Sequence, residues 1–152
     1  MPEPGRQLPL FAHGPPNQDL ILRSAVNPTD TANAADPTRA DALSRRAQEL
    51  LAAAKPAEAA RLFRAAIAAN EKHAAAYYGL VRALRDAARI EASIGAALAL
   101  AVLTPDDPLA HGELSISLRA GGHIREAEAA AARARALAWT NRLQSPPPDR
   151  QP

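Results

Sequence analysis

Histidines at positions 13, 73, 111 and 123 are the side chains of this 152-residue chain best suited to metal ligation or proton transfer near neutral pH. His13, His73, His111 and His123 share no metal-ligand spacing, and with no cysteine in the chain thiolate metal sites and disulfides are excluded. Asp106-Asp107 could serve acid/base or metal chemistry, but Pro108 follows directly, which is how an acidic cap opens a helix. No glycine-rich phosphate loop precedes a helix. The residues therefore point to a protein that is not an enzyme, with no cofactor and no metal, and leave recognition as the chemistry to be found.

The elements that would position any recognition surface are helices. Apolar residues make up 47% of the chain but aromatics only 3%, and much of the apolar content is alanine. Alanine has the best helix propensity and lets helix axes approach closely, whereas a sheet protein would want β-branched and aromatic side chains. The formal charge is +2 and the isoelectric point about 9.5, yet basic residues are scattered among acidic ones. Nucleic-acid binders concentrate them on one face, so no nucleic acid is expected. The longest nearly uncharged apolar run, Ile94 to Leu103, is about half the roughly 20 residues of a membrane span. Met1 to Arg6 lacks the pattern of a secretory signal. These features predict a soluble, cytoplasmic protein with no membrane partner.

Residues 1–37 hold half of the 14 prolines and few apolar side chains, so a disordered, Pro-rich arm is expected there. Order is expected from Asp36-Pro37-Thr38, with Thr38 capping a helix that runs to Ala54. The spacing of apolar residues then predicts helices over Pro56 to Ala69, Ala74 to Ala88, Glu91 to Leu103, Pro108 to Ala120 and Ile124 to about Leu143. In the first of these Ala59, Leu62, Phe63, Ala66 and Ile67 share one stripe; in the next Tyr77, Leu80, Val81 and Leu84 do. Gly121-Gly122 supplies left-handed residues to end the fifth helix, and Pro146-Pro147-Pro148 ends the sixth, leaving 144–152 as a disordered tail. Short connections make neighbouring helices antiparallel.

Shifted by about 34 residues, the same slots recur. Tyr77, Leu80, Val81, Leu84, Ser93, Ala97, Leu100 and Pro105 occupy one copy. Leu43, Arg46, Ala47, Leu50, Ala59, Phe63, Ala66 and Glu71 occupy the copy before it. His111, Leu114, Ser115, Leu118, Ala127, Ala131, Ala134 and Trp139 occupy the copy after. This pattern resembles the tetratricopeptide repeat (TPR) family, with Arg46 in a leucine slot and Ser93 in an alanine slot as departures. The resemblance implies an all-α fold: a right-handed superhelical solenoid of antiparallel helix pairs, six helices in three repeats (40–73, 74–107, 108–141) within a domain spanning 38–143.

The resemblance also implies a function, a protein-interaction module whose concave groove, lined by the first helix of each pair, binds a peptide segment of another protein. The groove positions are Ser44, Gln48 and Leu51, then Tyr78, Arg82 and Arg85, then Gly112, Ile116 and Arg119. Arginines beside Tyr78 and Ile116 would suit a peptide carrying acidic and apolar residues, since guanidinium pairs bidentately with carboxylate; the same arginines could equally be a solvated surface. Ser44, Gln48 and Gly79 stand where the carboxylate-clamping TPR subclass would carry lysines and asparagines, which argues against that activity.

Two alternatives come from features other than the groove side chains. Gln7, Leu8, Leu10 and Phe11, in the run Gln-Leu-Pro-Leu-Phe, resemble the pentapeptide with which bacterial replication and repair proteins dock on the sliding clamp. The layout of three repeats after an N-terminal arm is also that of cytoplasmic chaperones for type III secretion translocators. Finally, no full capping helix follows the sixth helix, so its open face could be shielded by Leu20-Ile21-Leu22 or by a second copy, a homodimer.

Overall fold

The computed structural model describes residues 35–147. They form six helices: α1 (Pro37–Ala52), α2 (Pro56–Ala69), α3 (Ala74–Asp86), α4 (Ile90–Leu103), α5 (Pro108–Ala120) and α6 (Ile124–Gln144). No strand occurs among the described residues. The helices pack as three antiparallel pairs, α1 on α2, α3 on α4 and α5 on α6, each pair stacked on the next. This is the all-α solenoid of TPR-like repeats that the recurring slots imply.

Local chemistry sets the ends of the helices. Asp36, rather than Thr38, caps α1: its Oδ1 accepts from Arg39 N at 3.0 Å, and Pro37 sits at the first helical position, where a missing N–H costs nothing. At the other end, α1 stops at Ala52 and α3 at Asp86, each two residues before the expected end. The reason is a shared terminator. Ala54, Ala88 and Gly122, at φ +59°, +59° and +80°, take left-handed backbone at one position every 34 residues. Each closes a Schellman motif, seen for α1 in Ala54 N→Leu51 O at 3.0 Å and Lys55 N→Leu50 O at 2.9 Å. Of the two glycines after α5, Gly122 alone is left-handed; Gly121 has φ −83°.

Curvature follows from which helices touch. The first helices of successive pairs are in contact, α1 with α3 and α3 with α5, whereas α2 and α4, and α4 and α6, are not. The stack therefore bends with α1, α3 and α5 on its inner side. The outer helices splay, leaving between α2 and α4 a groove of about 660 Å³ bordered by Ile67, Tyr77, Ala99 and Val102.

The core lies at the joints. Phe63, Ala59, Ala66, Ala76, Leu80 and Leu84 form one buried cluster between the first and second pairs. Val81, Ala97, Leu114 and Ala130 form a smaller one between the second and third. Small side chains carry most of it, as close helix approach requires. Arg46, in a leucine slot, points to solvent and pairs with Glu49 at 2.7 Å.

Candidate functional site

The inner face is built from one side of α1, α3 and α5, so residues one repeat apart line up across it. Of the three groove slots read from the sequence, the one exposed in every repeat holds Gln48, Arg82 and Ile116; Asp41, Ala75 and Leu109, two turns earlier on the same helices, are exposed as well. Arg82 makes only a loose contact with Asp86 at 3.8 Å, and Ile116 leaves 51% of its surface open. Arg119 is exposed beside them. Together these present an amide, guanidinium groups and an apolar side chain to whatever lies in the groove.

Three of the remaining groove positions, Arg85, Tyr78 and Leu51, are engaged within the protein. The Arg85 guanidinium, 18% exposed, lies 2.6 Å from the Glu113 carboxylate, itself 26% exposed, and also donates to Ser117 Oγ at 3.3 Å. Arg85 therefore ties α3 to α5, and an acidic ligand would have to displace Glu113 to reach it. Tyr78 donates its hydroxyl proton to Asp107 Oδ2 at 2.5 Å. Burial, the bond to Asp107, and the charges of Asp107 and Glu113 all disfavour its phenolate, so Tyr78 loses its proton only well above the ordinary tyrosine range. Leu51 is half-buried against the first core cluster. Gly112 is half-buried, with open space where a side chain would stand.

Ser44 is buried, and its hydroxyl has no hydrogen-bond partner. It borders a cleft of about 300 Å³ between α1 and the start of α3, together with Asp41, Arg45, Gln48, His73 and Ala75. His73 Nε2 is 3.3 Å from Asp41 Oδ1, close enough for charge attraction when protonated but off the line of a hydrogen bond. His111 Nε2 lies 2.8 Å from the Pro105 carbonyl, a structural contact, and His123 Nε2 is 3.6 Å from Glu91. No cluster of three metal-ligating side chains occurs among the described residues. The helix-start reading of Asp107 holds, with Oδ1 accepting from Leu109 N at 2.9 Å. Its second oxygen accepts the hydrogen bond from the Tyr78 hydroxyl.

Three serines complete the network: Ser93 and Ser115, which the sequence marks only as repeat slots, and Ser117, which sequence reasoning passed over. Ser93 Oγ donates to the Val81 carbonyl at 3.1 Å and lies 2.8 Å from Ser117 Oγ. Since Ser93 has one proton and spends it on Val81, Ser117 must donate to Ser93 and accept from Arg85. The chain Arg85, Ser117, Ser93, Val81 thus runs in one direction from the inner face into the core. One repeat on, Ser115 Oγ donates across the pair to the Ala127 carbonyl at 2.8 Å. The signal available in the sequence was serine at 93 and 115, in slots that otherwise hold alanine or valine; the Ser117 slot, with Glu49 and Ala83, gave none. Gln7, Leu8, Leu10, Phe11, His13 and Leu20-Ile21-Leu22 lie outside the described residues.

No protein-family model matches the sequence, and no curated protein matches it. Among solved structures the chain is similar to the Yersinia enterocolitica type III secretion translocator chaperone SycD, in its alternative dimer, with TM-score 0.63 and 19% identity over 67% of this chain and 77% of that one. It is similar to MamA, with TM-score 0.66 and 20% identity over 71% of this chain and 63% of that one. A chain of the CopN–Scc3 complex matches with TM-score 0.61 and 20% identity over 70% and 61%. The similarity thus spans less than two thirds of the latter two proteins. These neighbours are TPR-like helical-repeat proteins, and the chain shares their fold. No helix among the described residues is long and apolar enough to cross a membrane.

Proposed function

We propose that this protein is a non-catalytic interaction module, acting in the cytoplasm, that holds a segment of another protein along its inner face. The observation that supports the reading is the row Gln48, Arg82 and Ile116, a groove slot left open in every repeat, while Tyr78 and Arg85 beside it are tied into the second joint. A segment lying across this row would meet an amide, then a guanidinium with Arg119 beyond, then an apolar side chain. That favours an extended client with an acidic residue near Arg82 and an apolar residue near Ile116.

A chaperone-like role toward a secreted client is the second reading, favoured by the similarity to SycD, of which the chain covers 77%. A homodimer is compatible with either. Affinity capture followed by mass spectrometry tests the groove. Arg82→Glu with Ile116→Asp is expected to lose the partners captured by the unaltered chain while helical circular dichroism is kept; unchanged capture refutes groove binding. A client that captures equally well but is degraded in cells lacking this protein would single out the chaperone reading.

A further inference from the structure

The last helix is built differently from its counterparts. At Asn70 and Thr104 helices α2 and α4 stop and the chain turns back, but in the corresponding slot, Ala138, α6 continues to Gln144. Among the described elements α6 packs on α5 alone. Its side away from α5 exposes Ala129, Ala132, Ala136, Trp139 and Leu143, which recur at alternating spacings of three and four residues. That is the seam with which a helix meets a second helix. Trp139 and Leu143 are large apolar groups, 59% and 69% exposed.

The charges beside the seam indicate the kind of helix it fits. Arg133, Arg135 and Arg142 flank it, all exposed, and no acidic residue occurs from Ala129 to Pro147. The Arg142 guanidinium stacks over the Trp139 ring at 5.8 Å, which holds the ring's far face outward. A second copy of this chain would bring Arg133 and Arg135 of both helices together at the centre of the seam, so like charges there oppose that occupant. We propose that the Ala129–Leu143 seam of α6 docks an amphipathic helix of a partner protein whose apolar stripe is bordered by glutamate or aspartate. This is a second binding surface, independent of the inner groove.

Trp139 is the chain's single tryptophan, so its fluorescence reports the seam directly. The probe is a synthetic helical peptide with leucine at the heptad a and d positions, glutamate at e and g, and no aromatic residue. Titrated into the full chain, it is expected to shift Trp139 emission to the blue and protect it from acrylamide, saturably. Arg135→Glu with Arg142→Glu should weaken binding by roughly tenfold, the sum of two rim charges. Leu143→Asp should abolish it, and Arg82→Glu in the groove should change nothing. Emission that stays water-exposed at every peptide concentration overturns the proposal. So does equal binding of a peptide with lysine in place of glutamate. So does light scattering that shows the free chain to be a dimer with Trp139 already shielded, which would assign the seam to a second copy.

Discussion

The two joints of this solenoid occupy the same slots and are held by opposite chemistry. Between the first and second pairs, Phe63 projects from α2 and its ring fills the space above Gly79 of α3; a Cβ at Gly79 would come within 2.2 Å of that ring. One repeat later the Phe63 slot holds Ala97 and the Gly79 slot holds Glu113. The knob disappears, the small residue becomes a long carboxylate, and that carboxylate takes the Arg85 guanidinium at 2.6 Å. The first joint is apolar at its centre, with the unpaired Ser44 hydroxyl and the Asp41–His73 contact at its edge; the second has a smaller buried cluster, crossed by the Tyr78–Asp107 and Arg85–Glu113 bonds and the serine chain. Solenoid joints need only be matched locally, because each repeat contacts only its neighbours. Apolar joints gain from burial without fixing orientation sharply, whereas charged bonds at set positions hold the angle at which groove residues stand.

The largest effect is expected where the apolar joint is emptied. Phe63 is fully buried, so Phe63→Ala should cost roughly 3–5 kcal/mol in urea unfolding, the usual range for removing a buried phenylalanine. Gly79→Ala should also destabilise, by about 1–3 kcal/mol from overpacking, and combining it with Phe63→Leu should recover part of the loss because the smaller side chain vacates the clash. Strict additivity of these two changes would show that Phe63 and Gly79 do not meet as described.

A smaller loss is expected at the polar joint. Glu113→Ala leaves the largely buried Arg85 without its carboxylate and should cost about 1–3 kcal/mol. Replacing both partners, Arg85→Met with Glu113→Leu, should restore most of that stability, since a matched apolar pair avoids the stranded charge. If the comparison between joints is right, raising the salt concentration narrows the gap between Glu113→Ala and the unaltered chain, and leaves the Phe63→Ala deficit intact. Equal salt sensitivity of the two variants would dissolve the distinction.

Which of these features could be read from the chain follows from their range. The helices and their pairing were legible because apolar spacing repeats within a few residues and the slots recur over each copy. Phe63 stood out as the one aromatic on an alanine stripe. Glu113 did not, since it looks like any surface carboxylate until α5 is laid beside α3 and Arg85, far back in the chain, comes into reach. For the same reason Arg85 and Tyr78 read as groove residues: position on the inner face is local, but engagement across the joint is not. Ser44 illustrates the converse, a groove slot that closes because α1 and α3 approach there. That α6 has an open face was legible from the lack of a helix to follow it, but its seam was not, because Trp139 occupies a slot that ends a repeat in the earlier copies.

The smallest expected effect concerns the terminators, where the three repeats can be made alike. Left-handed backbone costs a residue bearing a Cβ about 1–2 kcal/mol relative to glycine, and Ala54 and Ala88 both carry that cost while Gly122 avoids it. Against this, a glycine adds entropy to the unfolded chain, so the exchange returns less than the strain it removes. Ala54→Gly and Ala88→Gly should each stabilise by roughly 0.5–1 kcal/mol, and Gly122→Ala should lose a similar amount. Because the terminators are set by backbone geometry alone, they should act equally at either joint and be indifferent to salt. Thermal unfolding of the three variants at low and high ionic strength checks both points. If Ala88→Gly proved far more stabilising than Ala54→Gly, the angle of the polar joint would have to depend on its terminator as well as on Arg85 and Glu113.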